Sequence, residues 1–201
     1  MIVDQIIKRG IEDQKVLDVM ANIDRRKFVS DEHSKFANDD GPLPIGCGQT
    51  ISQPFIVAFM TENLKLNINH NVLEIGTGSG YQSAVLSKLT NHVHTIEIID
   101  ELAEQASFRL KNLGYNNITV HGGNGYSGLP KKAPFDRIMV TAAPKEIPEV
   151  LIQQLSENGI MILPVGEQFE IQYIWVVTKE IGGKIKKEKV LPVSFVPMVK
   201  K

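Results

Sequence analysis

Apolar and polar positions along residues 71–164 follow a pattern that predicts an α/β fold. Short apolar runs, typical of buried parallel strands, alternate with stretches that have helical spacing. Such alternation predicts a doubly wound, mostly parallel sheet with helices on both faces. The predicted strands are 71–76, 92–98, 118–121, 135–141 and 159–164, and the predicted helices are 81–90, 100–113 and 147–156.

The last part of the chain has a different pattern. Residues 171–178 and 185–195 are strand-like runs joined across Gly182 and Gly183. They predict an antiparallel hairpin on one edge of the sheet, which brings the expected total to seven strands. The charges in residues 184–189 are typical of a solvated edge strand that resists aggregation.

The first 66 residues predict helices around an irregular segment. Residues 3–11 and 13–23 have the apolar spacing of two short helices, whereas residues 30–50 are rich in glycine and proline. An irregular loop of that length is usually functional or disordered. Ser52 then has the position of an N-cap, and a helix is expected over residues 54–66 with Pro54 in its first turn. Within the next helices, Asp100 is the expected cap of 100–113, which Gly114 should end.

We expect one domain over residues 1–201, because this length supports a single sizeable core. In that domain, residues 1–66 hold the N-terminal helices and the long loop. Residues 67–170 should form the α/β core, and residues 171–201 the C-terminal hairpin.

The segment V-L-E-I-G-T-G-S-G at residues 72–80 is the most informative motif. A strand, a glycine loop and a helix in this order predict a nucleotide-type cofactor site at the carboxyl end of the strand. A dinucleotide fingerprint needs a small residue where Tyr81 stands, so the spacing favours a nucleoside without a pyrophosphate, such as the adenosine of S-adenosylmethionine. A structural turn without a ligand is the alternative. The candidate contacts in the loop are Gly76, Thr77, Gly78, Ser79 and Gly80.

Two further loops are expected at the same edge of the sheet. Glu97 lies near the end of the second predicted strand, 17 residues after Gly80, where a carboxylate can accept hydrogen bonds from ribose hydroxyls. Residues 122–128 read G-G-N-G-Y-S-G, and the amide of Asn124 is a candidate contact to adenine. The alternatives are a surface carboxylate and a glycine-rich turn without a ligand.

Composition excludes several classes of function. The formal net charge is −1, which provides no basic field for nucleic acid, and no apolar run is long enough to span a membrane. Residues 1–10 lack the apolar centre of a signal peptide. Cys47 is the only cysteine, which fits a reducing cytoplasm, and we interpret it as a bystander thiol. His92 and His94 should point to one side of a strand, but no metal-ligand spacing accompanies them.

With these motifs in place, the chain resembles the protein-L-isoaspartate O-methyltransferases over nearly its full length. The glycine loop occurs in many methyltransferases, whereas G-Q-T-I-S-Q-P just before it is far more specific. The segments that carry the resemblance are P-L-P-I-G (42–46), G-Q-T-I-S-Q-P (48–54), V-L-E-I-G-T-G-S-G-Y-Q (72–82), A-P-F-D (133–136), V-T-A-A (140–143), L-P-V-G (163–166) and F-V-P-M (195–198).

The resemblance implies a Rossmann-like methyltransferase fold, S-adenosylmethionine as cofactor and L-isoaspartyl residues of damaged proteins as substrate. By motif position, Ser52 matches the active-site serine, and Thr50 and Ile51 match residues that line the cofactor. The glycine loop and Glu97 match the cofactor-binding loop and the ribose-binding acid. The family pattern G-D-G is here Gly123-Asn124-Gly125, which keeps an acceptor for adenine but loses a charge.

The implied reaction needs positioning more than acid–base chemistry. A carboxylate acceptor is already ionised at pH 7, so no general base is required. We therefore expect Ser52 to orient the substrate carboxylate by a hydrogen bond, and residues 30–50 to cover the site. The alternatives are a methyltransferase with another acceptor, a nicotinamide oxidoreductase and a non-catalytic cofactor-binding module. We expect a cytoplasmic monomer that binds neither a metal nor nucleic acid.

Overall fold

A seven-stranded sheet and a separate two-stranded hairpin organise the fold. The computed structural model describes residues 2–200. In chain order, the strands are β1 (Leu43–Gly46), β2 (Gln49–Ile51), β3 (Asn71–Ile75), β4 (His92–Glu97), β5 (Ile118–Gly122), β6 (Phe135–Val140), β7 (Leu155–Val165), β8 (Gln172–Lys179) and β9 (Ile185–Val193). The α-helices are α1 (Ile2–Ile7), α2 (Gln14–Asn22), α3 (Pro54–Asn63), α4 (Tyr81–Ser87), α5 (Asp100–Asn112) and α6 (Glu149–Gln153).

The strand order in the main sheet is β5-β4-β3-β6-β7-β8-β9. The first five strands in this order are mutually parallel, whereas β8 and β9 are added as an antiparallel hairpin. The prediction of a mostly parallel sheet with a C-terminal hairpin at its edge is therefore confirmed. Ile75 pairs with Ile96 on one side and with Val140 on the other, so three strands end at the same level.

Helices cover both faces of the sheet. On one face, Met60 of α3 and Leu86 of α4 belong to the buried cluster that contains Val72 and Val93 of the sheet. On the other face, Leu151 of α6 belongs to the cluster that contains Leu73 and Ile138. Because the ends of β3 and β6 are buried on both faces of the sheet, Ile138, Met139 and Val140 follow one another without polar alternation.

The segment 30–50 is more regular than the sequence predicted. A 3-10 helix spans Asp31–Phe36, and β1 and β2 pair as an antiparallel hairpin. Cys47 and Gly48 have positive φ angles of 50° and 69° at the hairpin turn. The prediction of an irregular loop was wrong, because a three- or four-residue strand with proline and glycine gives no periodic signal.

Ser52 does not cap α3, in contrast to the prediction. The N-cap is Gln53, whose side chain makes no capping hydrogen bond. Instead, the Phe55 N–H donates to Oδ1 of Asp40 over 2.9 Å, so a carboxylate from segment 30–50 satisfies the helix start. Since Asp40 is remote from α3 in sequence, local capping rules do not detect it. The hydroxyl of Ser52 is consequently not committed to the helix.

Several element boundaries also differ from the predictions. The helix predicted over 147–156 is only Glu149–Gln153, because β7 begins at Leu155 and pairs there with Phe135. Helix α3 ends at Asn63 rather than Leu66, α1 ends at Ile7, and α4 ends at Ser87. The cap of α5 is Ile99 instead of Asp100, whereas Gly114 ends this helix in the left-handed conformation as predicted.

Three imidazoles lie together on one face of β4 and β5. His92 and His94 point to the same side, as predicted, and Nδ1 of His94 lies 3.2 Å from Nε2 of His121. Burial, with His92, His121 and Lys132 nearby, lowers the pKa of His94 to about 4. In residues 2–200, no three His, Cys, Asp or Glu side chains are grouped as a metal site would require. Within that same range, no helix has both the length and the apolar content needed to cross a bilayer.

Candidate active site

A cavity of about 230 Å³ lies where β3, β4 and β6 end. It contains parts of all three loops that the sequence placed at one edge of the sheet. Residues of the β1–β2 hairpin and the C-terminal segment complete its wall. Of the residues predicted for the site, those lining the cavity are Thr50, Ile51, Ser52, Gly76, Thr77, Gly78, Ser79, Glu97 and Gly125.

The glycine loop is held against β6 at Gly76. This residue has φ of +96°, and a Cβ atom there would lie 2.3 Å from Oγ1 of Thr141. The Thr141 hydroxyl is within 2.9 Å of the Ile75 carbonyl and 2.7 Å of the Gly76 carbonyl. Only glycine fits this position, because both the backbone angle and the space exclude a side chain.

Glu97 connects the glycine loop to the start of α5. Its Oε2 accepts the N–H of Gly78 over 2.8 Å, and its Oε1 accepts the N–H of Ile99 over 3.0 Å. The side chain is only 6% exposed. Each carboxylate oxygen has two lone pairs, so one acceptor site on each oxygen remains after these two bonds. The carboxylate is thus held in a fixed direction while it keeps the capacity to accept from a ligand.

Ser52 lies between the end of β2 and the start of α3. Its carbonyl accepts a hydrogen bond from Nη2 of Arg25 over 3.0 Å. Its hydroxyl has no hydrogen-bond partner within residues 2–200, although the residue lines the cavity. The neighbouring hairpin also contacts the glycine loop, since a Cβ atom at Gly78 would lie 3.3 Å from Cδ1 of Ile45.

Two predicted residues lie outside the cavity lining. Gly80 is the N-cap of α4 with φ of 86°, and a Cβ atom there would meet Leu110 at 3.1 Å. Asn124 is the N-cap of a short 3-10 turn, where its Oδ1 accepts the N–H of Tyr126 over 3.0 Å. In that loop, it is Gly125 that lines the cavity.

Comparison with known proteins agrees with this geometry. The family profile of Protein-L-isoaspartate(D-aspartate) O-methyltransferase (PCMT) matches residues 1–201. The chain belongs to this family. A protein-L-isoaspartate O-methyltransferase of Gloeobacter violaceus is 50% identical over 200 residues, which cover 100% of this chain and 97% of that protein. A protein-L-isoaspartate O-methyltransferase of Opitutus terrae is 46% identical over 200 residues, which cover 100% of this chain and 85% of that protein.

A solved structure extends the agreement to the fold. It is a putative protein-L-isoaspartate O-methyltransferase from Plasmodium falciparum in complex with S-adenosyl-L-homocysteine. It is 26% identical, with a TM-score of 0.84, and the match covers 100% of this chain and 97% of that chain. The chain therefore has the Rossmann-like methyltransferase fold of PCMT proteins.

In this PCMT chain, the C-terminal segment is a wall of the cavity that the sequence did not predict. The N–H of Ala143 donates to the Val196 carbonyl and the N–H of Met198 donates to the Ala143 carbonyl, both over 2.8 Å. These bonds place Val196–Val199 beside Gly125 and Thr141. The segment F-V-P-M carried part of the family resemblance, but its pattern alone indicates neither a strand nor a site. Thr141 and Ala142, which follow β6, also line the cavity.

Glu74 is a buried carboxyl group in β3 of this PCMT chain, one residue before Ile75 at the cavity. It is fully buried, the Ser83 hydroxyl donates to its Oε2, and its Oε1 has no partner within residues 2–200. Burial raises the pKa of Glu74 to about 8, although the hydrogen bonds of Ser83 and Thr95 oppose the change. The group is therefore protonated and neutral near pH 7.

Replacing Glu74 with glutamine should make stability less dependent on pH. The folded pKa of about 8 lies above the ordinary glutamate value of 4.5, so the native state holds an extra proton between these values and its stability falls as pH rises from 4.5 to 8. Between pH 6 and pH 9, we expect the free energy of unfolding of Glu74→Gln to rise relative to that of the wild type by roughly 3 kcal/mol, because only the wild type must release this proton. Urea unfolding at pH 6 and pH 9 measures this. Parallel losses of stability in both proteins between these pH values would show that Glu74 is already ionised.

Proposed function

We propose that the protein transfers a methyl group from S-adenosylmethionine to the free carboxylate of L-isoaspartyl residues in damaged proteins and peptides. Membership in the PCMT family supports the reaction. The observation that carries the assignment of the site is the position of Ser52, which lines the same cavity as the glycine loop and Glu97. The acceptor and the donor would therefore meet between these two sides.

The residues around the cavity fit the cofactor. We assign the ribose to Glu97, since its two oxygens are fixed by backbone N–H groups and keep acceptor capacity. The glycine loop turns beside the ligand at Gly76 and Gly78, whose positive φ angles favour residues without a Cβ atom. Thr50, Ile51, Thr77 and Ser79 complete the proposed contacts, with Gly125 and Asn124 beside the adenine. When bound, S-adenosylmethionine supplies a methyl group activated by the positive charge on its sulfur.

Ser52 is proposed to orient the substrate. Its hydroxyl donates a hydrogen bond to one oxygen of the isoaspartyl carboxylate, which turns the other oxygen toward the donor. The carboxylate is ionised at neutral pH, so the protein need not remove a proton. The contribution of Ser52 is to restrict the orientations of a group that already has the required charge. The β1–β2 hairpin, which packs against the glycine loop at Ile45, limits the access of water to the site.

Paired peptides test the proposed reaction. The protein is mixed with methyl-labelled S-adenosylmethionine and with two peptides that differ only in an aspartyl or isoaspartyl residue. Label is expected on the isoaspartyl peptide alone. Transfer to both peptides, to RNA or to a small molecule instead would assign a different acceptor, and cofactor binding without any transfer would favour a binding module.

Ser52→Ala should lower kcat by about 10- to 100-fold, because the carboxylate loses the group that orients it. The affinity for S-adenosylhomocysteine should change little, since the proposed bond is made to the substrate. Steady-state kinetics and calorimetry measure the two quantities. Ser52→Thr, which retains a hydroxyl, should recover part of the rate. An equal loss of cofactor affinity, or an unchanged kcat, would contradict the orienting role.

The assembly and location of the protein stay predictions. We propose a monomer, because the cavity is built from one chain and needs no group from a second copy. We also propose a cytoplasmic enzyme, on the basis of the single cysteine. Sedimentation measures the oligomeric state, and cell fractionation measures the location.

A further inference from the structure

Arg25 is a buried cation whose hydrogen bonds end on backbone carbonyl groups. It follows α2 in a 3-10 turn and is only 2% exposed. Its Nη1 donates to the Ala37 carbonyl over 2.8 Å, and its Nη2 donates to the carbonyls of Gly41 and Ser52, each over 3.0 Å. A buried charge is costly unless it is well paired, so this side chain is strongly constrained by these three acceptors.

The three carbonyls belong to two segments that flank the β1–β2 hairpin. Ala37 and Gly41 lie before the β1–β2 hairpin, whereas Ser52 follows it. The planar fork of a guanidinium donates in several fixed directions at once. Arg25 therefore closes the base of the hairpin and sets the position of the Ser52 carbonyl relative to the segment 37–41.

Asp40 makes a second connection between the same segments. Its Oδ1 accepts the N–H of Phe55, and its Oδ2 accepts from Nε2 of Gln53 over 3.0 Å. Arg9 also pairs with this carboxylate, over 2.7 Å. The residues after Ser52 are thus held by Asp40, while Ser52 itself is held by Arg25.

We propose that Arg25 is a positioning residue for methyl transfer, which acts by fixing the backbone of Ser52 so that its hydroxyl points into the cavity. This inference rests on the orienting role proposed above for Ser52. Arg25 does not line the cavity with the glycine loop, so its effect must pass through the serine. Displacement of the Ser52 carbonyl would turn the hydroxyl away from the carboxylate while leaving Glu97 and the glycine loop in place.

Arg25→Lys is the test variant, because lysine keeps the charge but lacks the planar fork. We expect kcat for an isoaspartyl peptide to fall about tenfold or more, with little change in the affinity for S-adenosylhomocysteine. Arg137→Lys is the matched control. Arg137 also donates to backbone carbonyls, including those of Leu64 and Asp136, but it lies at the opposite end of β3 and β6 from the cavity. The Arg137→Lys variant should have lower thermal stability than the wild type and the same kcat.

A double-mutant cycle with Ser52→Ala separates positioning from general stabilisation. If Arg25 acts through the serine hydroxyl, Arg25→Lys should lower kcat much less when Ser52 is already alanine. Additive losses in the double variant, or a kcat loss no larger than that of Arg137→Lys, would overturn the proposal. If the wild type transfers no methyl group to isoaspartyl peptides, the proposed function itself fails. That outcome differs from failure of the Arg25 proposal, in which the wild type remains active.

A measurement on the wild type covers the case in which Arg25→Lys does not fold. The Arg25 side chain is observed by ¹⁵N NMR after assignment, with S-adenosylhomocysteine present. Adding the isoaspartyl peptide should shift its resonances, because the bound carboxylate acts on Ser52, whereas the aspartyl peptide should not. Identical spectra with the two peptides, at concentrations where the isoaspartyl peptide is bound, would overturn the proposal.

Discussion

Gly76→Ala should reduce kcat/KM for methyl transfer by roughly 1,000-fold, the largest effect we expect from a single methyl group. The new Cβ atom would lie 2.3 Å from Oγ1 of Thr141, and the residue has φ of +96°. Left-handed backbone costs about 1–2 kcal/mol for a residue with a side chain, and overpacking costs about 1–3 kcal/mol more. The glycine loop must therefore move, and it carries the Gly78 N–H away from Glu97. Kinetics and calorimetry with S-adenosylhomocysteine measure the loss.

Gly114→Ala is the control for backbone strain alone. Gly114 has φ of +80° at the end of α5, but a Cβ atom there would meet nothing within 4 Å. This variant should lose some stability and keep its activity. A second control is Thr141→Ala in the Gly76→Ala background, which removes the overlapping oxygen and should recover part of the cofactor affinity. If Gly76→Ala and Gly114→Ala had similar kinetics, contact with Thr141 would not limit the loop.

The sheet could be predicted from the sequence because its strands carry their own signal. Leu73, Ile138 and Ile162 are fully buried in runs of apolar residues, so the pattern reflects the environment of each strand directly. The order of loops at the carboxyl edge then follows from the topology of parallel sheets, and it placed Gly76 and Glu97 at one cavity. The predicted boundaries of helices and strands were less accurate than their order, because the periodic pattern is weakest at the ends of an element.

The parts of the site that sequence reasoning missed depend on contacts between distant segments. Asp40 caps α3 from the other side of the β1–β2 hairpin, and Arg25 binds the carbonyl of Ser52 from a 3-10 turn. Neither interaction has a local pattern, because backbone carbonyls and N–H groups are present at nearly every residue. The C-terminal wall of the cavity also has no local sequence signal, since Val196 and Met198 are held to Ala143 by main-chain hydrogen bonds.

For Asn124, sequence reasoning located the loop but not the role of the side chain. Its loop reaches the cavity through Gly125, but the Asn124 side chain caps the turn at Tyr126 and does not line the cavity. Asparagine and aspartate both accept backbone N–H groups in this position, so the departure from the family pattern preserves the turn. We therefore expect Asn124→Asp to have a small effect on cofactor affinity compared with changes at Glu97.

Glu97→Ala should weaken binding of S-adenosylhomocysteine by roughly 100-fold or more. The substitution removes the proposed ribose acceptor, and hydrogen bonds to charged groups contribute about 1.5–3 kcal/mol each. It also leaves the N–H groups of Gly78 and Ile99 without their acceptor in a buried region. Both effects reduce cofactor affinity, because the loop that should hold the ligand loses its own support. Calorimetric titration measures the dissociation constant.

Two controls separate the ribose contact from the support of the loop. Glu97→Gln keeps one carbonyl oxygen, so it should lose less affinity than alanine while the amide nitrogen leaves one backbone N–H unpaired. Asp136→Ala removes a carboxylate that accepts the N–H of Asn71 over 2.8 Å at the far end of β3. It should lower the melting temperature without changing cofactor affinity. If Glu97→Ala lost stability like Asp136→Ala but still bound S-adenosylhomocysteine like the wild type, Glu97 would support the loop and not contact the ribose.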